Sequence, residues 1–260
     1  MNWRKYITYP LICLRNGSKE LIYLRELEDS QYWDASRLKE NTLKCITSLL
    51  DTSVKIVPFY RKFYKAHGCD VESITSLNDF TRVPLLSKIM VQENYEKLKA
   101  EDIDGENVIN DYTGGSTGVP TRFWYTEDRL DMRKAAERRH DRWAGLEIGE
   151  KKAIIWGARR EFSSQKTLKS RLWSFLTGNN LVCDSSSFSE ESLQQFIKDF
   201  KRFKPEHVLA YAQSMEELCK FLEAKKISLP QVDSIITSAE LLTDERRAYI
   251  ENIMQAPVFN

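Results

Sequence analysis

Residues 207–238 read HVLAYAQSMEELCKFLEAKKISLPQVDSIITS, and the order of patterns in this stretch decides the fold class. His207 to Ala210 is a short apolar run of the kind a buried strand supplies. Ser214 followed three residues later by Glu217 matches a capping box, and it opens an amphipathic segment from Met215 to Lys225. Val232 to Ile236 then returns to β-branched residues. Strand, helix, strand with short connections is the pattern of a parallel sheet covered by helices.

The same alternation extends in both directions. Ala153 to Trp156, Asn180 to Cys183 and Pro257 to Phe259 read as further strands, with amphipathic segments at Thr167 to Leu176, Glu190 to Phe203 and Asp244 to Met254. Thr243 ahead of Asp244 and Glu245 supplies an N-cap and places acidic residues at the positive helix end. Before Asn110 the character differs. Leu21 to about Leu50 is dense in Leu, Glu, Lys and Arg without Gly or Pro and favours helix; Phe59 to Ala66 continues in that manner, with Gly68 able to close it. The charged connector Glu101 to Asn107 divides the chain into a mostly helical region, 1–105, and an α/β region, 106–260.

Composition narrows the function classes. With 39 Lys and Arg against 38 Asp and Glu the formal charge is +1, so no global field draws nucleic acid, and a bound anion needs a local site. A hydrophobic content of 42% and a mean hydropathy of −0.49 describe a globular chain without a membrane span, expected to be cytoplasmic. Ile7 to Leu14 is the nearest approach to a signal-type apolar run, but Pro10 interrupts it and no small-residue cleavage site follows. The five cysteines lack paired spacing and read as reduced structural thiols. His67, His140 and His207 lack metal spacing, so no metal ligand is assigned among them. Arg138, Arg139, His140, Arg142 and Trp143 share a helix between Glu127 and Gly145 and read as a solvated face rather than a nucleic-acid contact.

The chemistry concentrates in Asp111-Tyr-Thr-Gly-Gly-Ser-Thr-Gly-Val-Pro-Thr121. Three glycines let backbone N–H groups approach an anion, and Ser116 and Thr117 add rotatable donors. Spacing excludes a Walker loop, since Gly114 and Gly118 enclose three residues and no Lys follows. A dinucleotide fingerprint is excluded because Gly118 leads into Val119-Pro120 and a strand from Thr121 to Tyr125. An ordinary turn between two strands remains the plain alternative.

This loop resembles the phosphate-binding loop of adenylate-forming enzymes, in the form seen in phenylacetate-CoA ligases and CapK-like capsular polysaccharide proteins. Leu77-Asn-Asp-Phe-Thr-Arg-Val-Pro-Leu-Leu-Ser-Lys88 is similar to the family's segment ahead of the loop. Thr237-Ser-Ala-Glu-Leu-Leu-Thr-Asp-Glu-Arg246, with Ala256-Pro-Val-Phe-Asn260, resembles its later Ser-Ala-Glu run and the strand after it.

The resemblance implies a helical N-terminal region followed by a mostly parallel sheet, the incomplete N-terminal domain of an adenylate-forming enzyme. It implies activation of a small carboxylic acid with ATP and Mg²⁺, with coenzyme A or another acceptor in a later step. Thr113, Gly114, Gly115, Ser116, Thr117, Gly118 and Thr121 would hold the phosphates, with Arg122 a further charge. Ser238, Ala239 and Glu240 would face the adenine and the acyl end, and Tyr211 would stand near the acyl pocket. Complete relatives continue beyond Asn260 into Tyr-Gly-x-x-Glu, a ribose-binding Asp and a C-terminal domain with a catalytic Lys, so the resemblance implies a truncated chain, inactive or partial. A non-catalytic nucleotide-binding or interaction module on the same fold is the alternative. A terminal strand with an unpaired edge would invite a homodimer.

Overall fold

The computed structural model describes residues 2–101, 108–113, 120–157 and 180–260. The connector 102–107, the glycines and hydroxyls at 114–119 and the segment expected to be helical at 167–176 lie outside the described residues. The chain forms two compact units, one of residues 1–21 with 135–260 and one of residues 22–134. Among the described residues no helix is long and apolar enough to cross a membrane.

The unit 22–134 is built on helices. α1 (Tyr9–Arg15) belongs to the other unit; here α2 (Glu20–Ser30), most of whose residues fall in this unit, precedes α3 (Ala35–Ile56), so the helical stretch expected from Leu21 to about Leu50 is interrupted at 31–34. The cause is Asp34, whose side chain accepts the Arg37 N–H at 2.9 Å and starts a new helix there. Arg37 then lies 3.9 Å over the Trp33 ring, which fixes the entry of the chain. Val57 is extended ahead of Pro58, which opens α4 (Pro58–Ala66) at a position where a missing N–H is harmless. Gly68 closes it with φ +61°, and Cys69 N–H returns to the Tyr64 carbonyl at 2.9 Å. Leu50, Phe59, Phe63, Tyr64 and Ile74 form the core of this unit.

α5 (Lys88–Glu93), capped by Ser87, leads to an antiparallel hairpin of β1 (Val108–Tyr112) and β2 (Arg122–Thr126). α6 (Glu127–Trp143) follows β2 directly, with Glu127 and Asp128 in its first turn.

The other unit holds a five-stranded parallel sheet. Its strands are β3 (Lys152–Trp156), β4 (Asn180–Asp184), β5 (His207–Tyr211), β6 (Ser234–Ser238) and β7 (Val258–Phe259), in the order β4-β3-β5-β6-β7. β3 and β5 lie inside the sheet, and Ala153, Ile155, Val208 and Ala210 lose all solvent exposure, as both faces of a parallel sheet require. α7 (Glu190–Phe203), α8 (Ala212–Lys225) and α9 (Asp244–Met254) cover it, burying Phe200, Met215, Leu218, Leu222 and Ile250 against the strands. α7 carries a reciprocal cap in which Ser189 and Ser192 exchange side-chain and backbone bonds, and Thr243 accepts the Arg246 N–H to start α9.

Two local expectations are corrected. Ser214 does not cap α8, which starts two residues earlier with Tyr211 at its N-cap; Ser214 is buried inside the helix. The basic stretch on α6 is not uniformly solvated. Glu20 is buried, Tyr9 Oη donates to it at 2.7 Å, and Arg138 reaches both its carboxylate (Nε to Oε1, 3.4 Å) and the Tyr9 hydroxyl (3.3 Å). A carboxylate that deep needs a charged partner, and this demand overrides the polar pattern of α6. His140 and Trp143 do face solvent. His207 is a buried sheet residue, with Nδ1 2.8 Å from Ser234 Oγ and Nε2 3.2 Å from Glu150.

Candidate functional site

The C-terminal ends of parallel strands form a natural ligand edge, because loops there diverge and helix N-termini point toward it. At this edge β5 and β6 finish level with one another, and Tyr211 and Ser238 are register partners. Tyr211 stacks on Trp156, the last residue of β3, with ring centroids 4.1 Å apart and planes at 29°. Gly157 follows immediately. A Cβ there would stand 3.4 Å from the Tyr211 ring and 3.6 Å from Ser185 Oγ, in ordinary contact with side chains at the ends of β5 and β4. At the end of β4 the Asp184 carboxylate accepts both the N–H and the hydroxyl of Ser186, at 3.0 and 2.6 Å.

Beyond Ser238 the backbone turns through Ala239 at φ +66°, a left-handed conformation that costs a non-glycine residue about 1–2 kcal/mol. The turn sends the Glu240 carboxylate to the Gln213 N–H, 2.7 Å away in the first turn of α8. Tyr211, as N-cap, provides no side-chain acceptor, so Glu240 supplies it from another element and places a negative charge at the positive end of the helix. Ser238, Ala239, Glu240 and Tyr211 are thus brought together on one edge.

The residues predicted to hold the phosphates belong to the unit 22–134. Thr113 N–H donates to the Thr121 carbonyl at 2.9 Å, and Thr121 N–H donates to Thr113 Oγ1 at 3.1 Å. These two bonds clamp the ends of the glycine loop at the tip of the hairpin. Gly114, Gly115, Ser116, Thr117 and Gly118 lie outside the described residues. Arg122 is exposed and its guanidinium lies 4.6 Å over the Tyr95 ring, on the hairpin face it shares with Trp124.

Sequence reading did not find Trp156, Gly157 or Gln213 as members of this edge. The first two carried a faint signal, an aromatic ending a β-branched run and followed by a glycine; the last carried none, since only the fold brings it to Glu240. Among the described residues no group of three or more His, Cys, Asp or Glu side chains is placed to hold a metal ion, so no residue is assigned to Mg²⁺.

No family model matches the chain. It is 25% identical over 204 residues to protein CapK of Staphylococcus aureus, covering 78% of this chain and 44% of that protein. It is 23% identical over 216 residues to the phenylacetate-coenzyme A ligase of Pseudomonas putida, covering 82% and 48%. The chain therefore spans about half the length of the curated relatives it matches. Among solved structures, an open conformation of 2-hydroxyisobutyryl-CoA ligase in complex with 2-HIB-AMP and CoA superposes with a TM-score of 0.67 at 17% identity, over 86% of this chain and 53% of that one. That likeness concerns the fold. In sequence and in fold the chain is similar to adenylate-forming enzymes of the CapK and phenylacetate-coenzyme A ligase kind, over part of their length.

Proposed function

We propose that this chain carries acid-activating chemistry. A carboxylate oxygen attacks the α-phosphorus of ATP, the bond to the bridging oxygen breaks, and its electron pair leaves with pyrophosphate, giving an acyl-adenylate. Coenzyme A or another acceptor then takes the acyl group. The observation that carries the reading is the level ending of β5 and β6, which sets Tyr211 beside Ser238 and the left-handed Ala239 at the edge where α/β sheets take their ligands. The Trp156–Tyr211 stack gives that edge a flat apolar wall suited to a ring or an acyl chain.

In this reading the hydroxyls and N–H groups of Gly114 to Gly118 neutralise the leaving pyrophosphate, on a loop whose ends Thr113 and Thr121 hold in register. Mg²⁺, when bound, would offset phosphate charge. One observation favours the alternative of a non-catalytic module: the Glu240 carboxylate is already engaged as a helix cap.

The test is a calorimetric titration with ATP and Mg²⁺, with GTP as control, on the parent and on Ser116→Ala/Thr117→Ala. Saturable ATP binding that GTP does not reproduce and that the double substitution weakens at least tenfold is expected. Absence of binding, or binding indifferent to base and substitution, overturns the proposal. Pyrophosphate exchange into ATP in the presence of carboxylic acids then separates catalysis from binding alone.

A further inference from the structure

The apolar run from Ile7 to Leu14 has no part in the activity proposed above, and the structure gives it an unusual setting. A π-helical turn, Arg4–Thr8, runs directly into α1, and Tyr9 N–H bonds to the Arg4 carbonyl five residues back. Pro10, which has no N–H to give, follows at once, and the wider turn accommodates it. The helix is anchored on one side. Tyr9 and Cys13 are buried, Lys5 pairs with Glu147 at 2.8 Å, and Arg4 donates to the Gly149 carbonyl.

The opposite side is open and apolar. Trp3, Tyr6, Ile7, Leu11 and Leu14 are between 40 and 78% exposed; Trp3, Ile7, Leu11 and Leu14 follow one another at four, four and three residues along one stripe, with Tyr6 beside it. Contiguous exposed apolar surface of this kind marks a site of interaction.

Charge selects the occupant. Residues 1–19 contain Arg4, Lys5, Arg15 and Lys19 and no acidic residue, although the whole chain is nearly neutral. Arg15 and Lys19 are exposed at the end of the stripe. The stripe also mixes Trp and Tyr with Ile and Leu, the combination that settles at a lipid headgroup boundary. Its shape argues against a second protein chain: a 12-residue helix face offers a convex footprint of roughly 18 by 10 Å, far below the ~800 Å² per partner of a standard interface. A segment this short also cannot span a bilayer, which needs about 20 residues, so it would lie in the plane.

We infer that residues 3–15 form an interfacial helix that seats this protein on an anionic lipid surface, with Trp3, Ile7, Leu11 and Leu14 entering the acyl boundary and Arg15 and Lys19 at the headgroups.

The experiment is vesicle flotation of the chain with phosphatidylcholine alone and with phosphatidylcholine containing 30% phosphatidylglycerol, at about 0.1 M salt where the Debye length is ~10 Å. Partition onto the anionic vesicles is expected, at least tenfold weaker for Leu11→Gln/Leu14→Gln. For Arg15→Gln/Lys19→Gln it should fall by about fivefold per basic residue removed, with a weak neutral-vesicle signal unchanged. All four side chains are exposed, so thermal melts of the variants should match the parent and confirm that folding is intact. Failure of the parent to float with anionic vesicles overturns the inference. So does flotation that the leucine substitutions leave unchanged, or a fall in particle mass in those variants without any vesicle binding, which would identify a second copy as the occupant.

Discussion

The carboxylate of Glu240, just past the end of β6, closes the first turn of the helix that follows β5 by accepting the Gln213 N–H at 2.7 Å. A single side chain thus joins the turn that carries the family resemblance to the helix beside it. Glu240→Ala removes the acceptor and is expected to cost about 0.5–2 kcal/mol in urea denaturation, as loss of an N-cap does. Glu240→Gln keeps an oxygen in place and should retain most of that stability. Equal losses for the two would show that charge at the helix end, not the bond, is what matters.

The Trp156–Tyr211 stack supports both fold and binding in our reading. Leu substitutions at each position and at both together form a double-mutant cycle with an expected coupling of about 0.5–1.5 kcal/mol. The same variants should weaken ATP binding more than the Glu240→Gln change does. A coupling near zero would mean that the rings touch without contributing.

The pairing of buried Glu20 with half-buried Arg138 predicts a large, reversible effect. Arg138→Met leaves the Glu20 carboxylate buried with Tyr9 as its remaining partner, and a loss of about 3–5 kcal/mol is expected. Adding Glu20→Gln should restore much of it, because the uncompensated charge disappears. A double variant no better than the single would place the effect in packing of the arginine stem instead.

Two carboxylates give the acid limb of stability opposite signs. Hydrogen bonding from Lys220, with further help from Arg246, holds Glu216 below the ordinary carboxylate range despite some desolvation. Its contribution is present above that range and is lost as pH falls through the lowered value. Burial pushes Asp141 the other way, against the pull of Lys152 at 3.5 Å. The folded state therefore holds the Asp141 proton more tightly, and that contribution is full below the ordinary range and lost as pH rises through the raised value. Melting temperatures measured from pH 7 to about pH 3 should fall less steeply for Glu216→Gln than for the parent, and more steeply for Asp141→Asn. Parallel curves for all three would contradict both assignments.

Where a segment's own residues settle its conformation, its sequence was enough. Glu190–Phe203 and Asp244–Met254 form helices over the residues that amphipathic spacing indicated, and the strand runs are found within about two residues. Reading failed where a distant group decides. α8 starts at Ala212 because Glu240, 27 residues away, caps it, which makes the local Ser214 signal redundant. Three helices end on left-handed Lys204, Lys226 and Gln255, with none of the glycines that would announce a stop. Arg138 looked like one cation of a wet face, and only the burial of Glu20 calls it inward. At the site, the loop and the Ser238–Glu240 turn were visible as motifs, whereas the Trp156–Tyr211 wall joins residues 55 positions apart and has no local pattern to read.

The strand order also governs the birth of the protein. β3 takes β4 on one edge and β5 on the other, yet 22 residues separate the end of β4 from the start of β5. At translation speeds of about 5–20 residues per second, β3 waits a second or more on the ribosome with one edge unpaired. The waiting strand carries Ala153, Ile154 and Ile155, and its row of unpaired N–H and C=O groups is a template for another nascent chain. Slower folding partners crowded at high expression would meet there first, so the yield of this protein should depend on synthesis temperature and chaperone supply more than its finished stability would suggest.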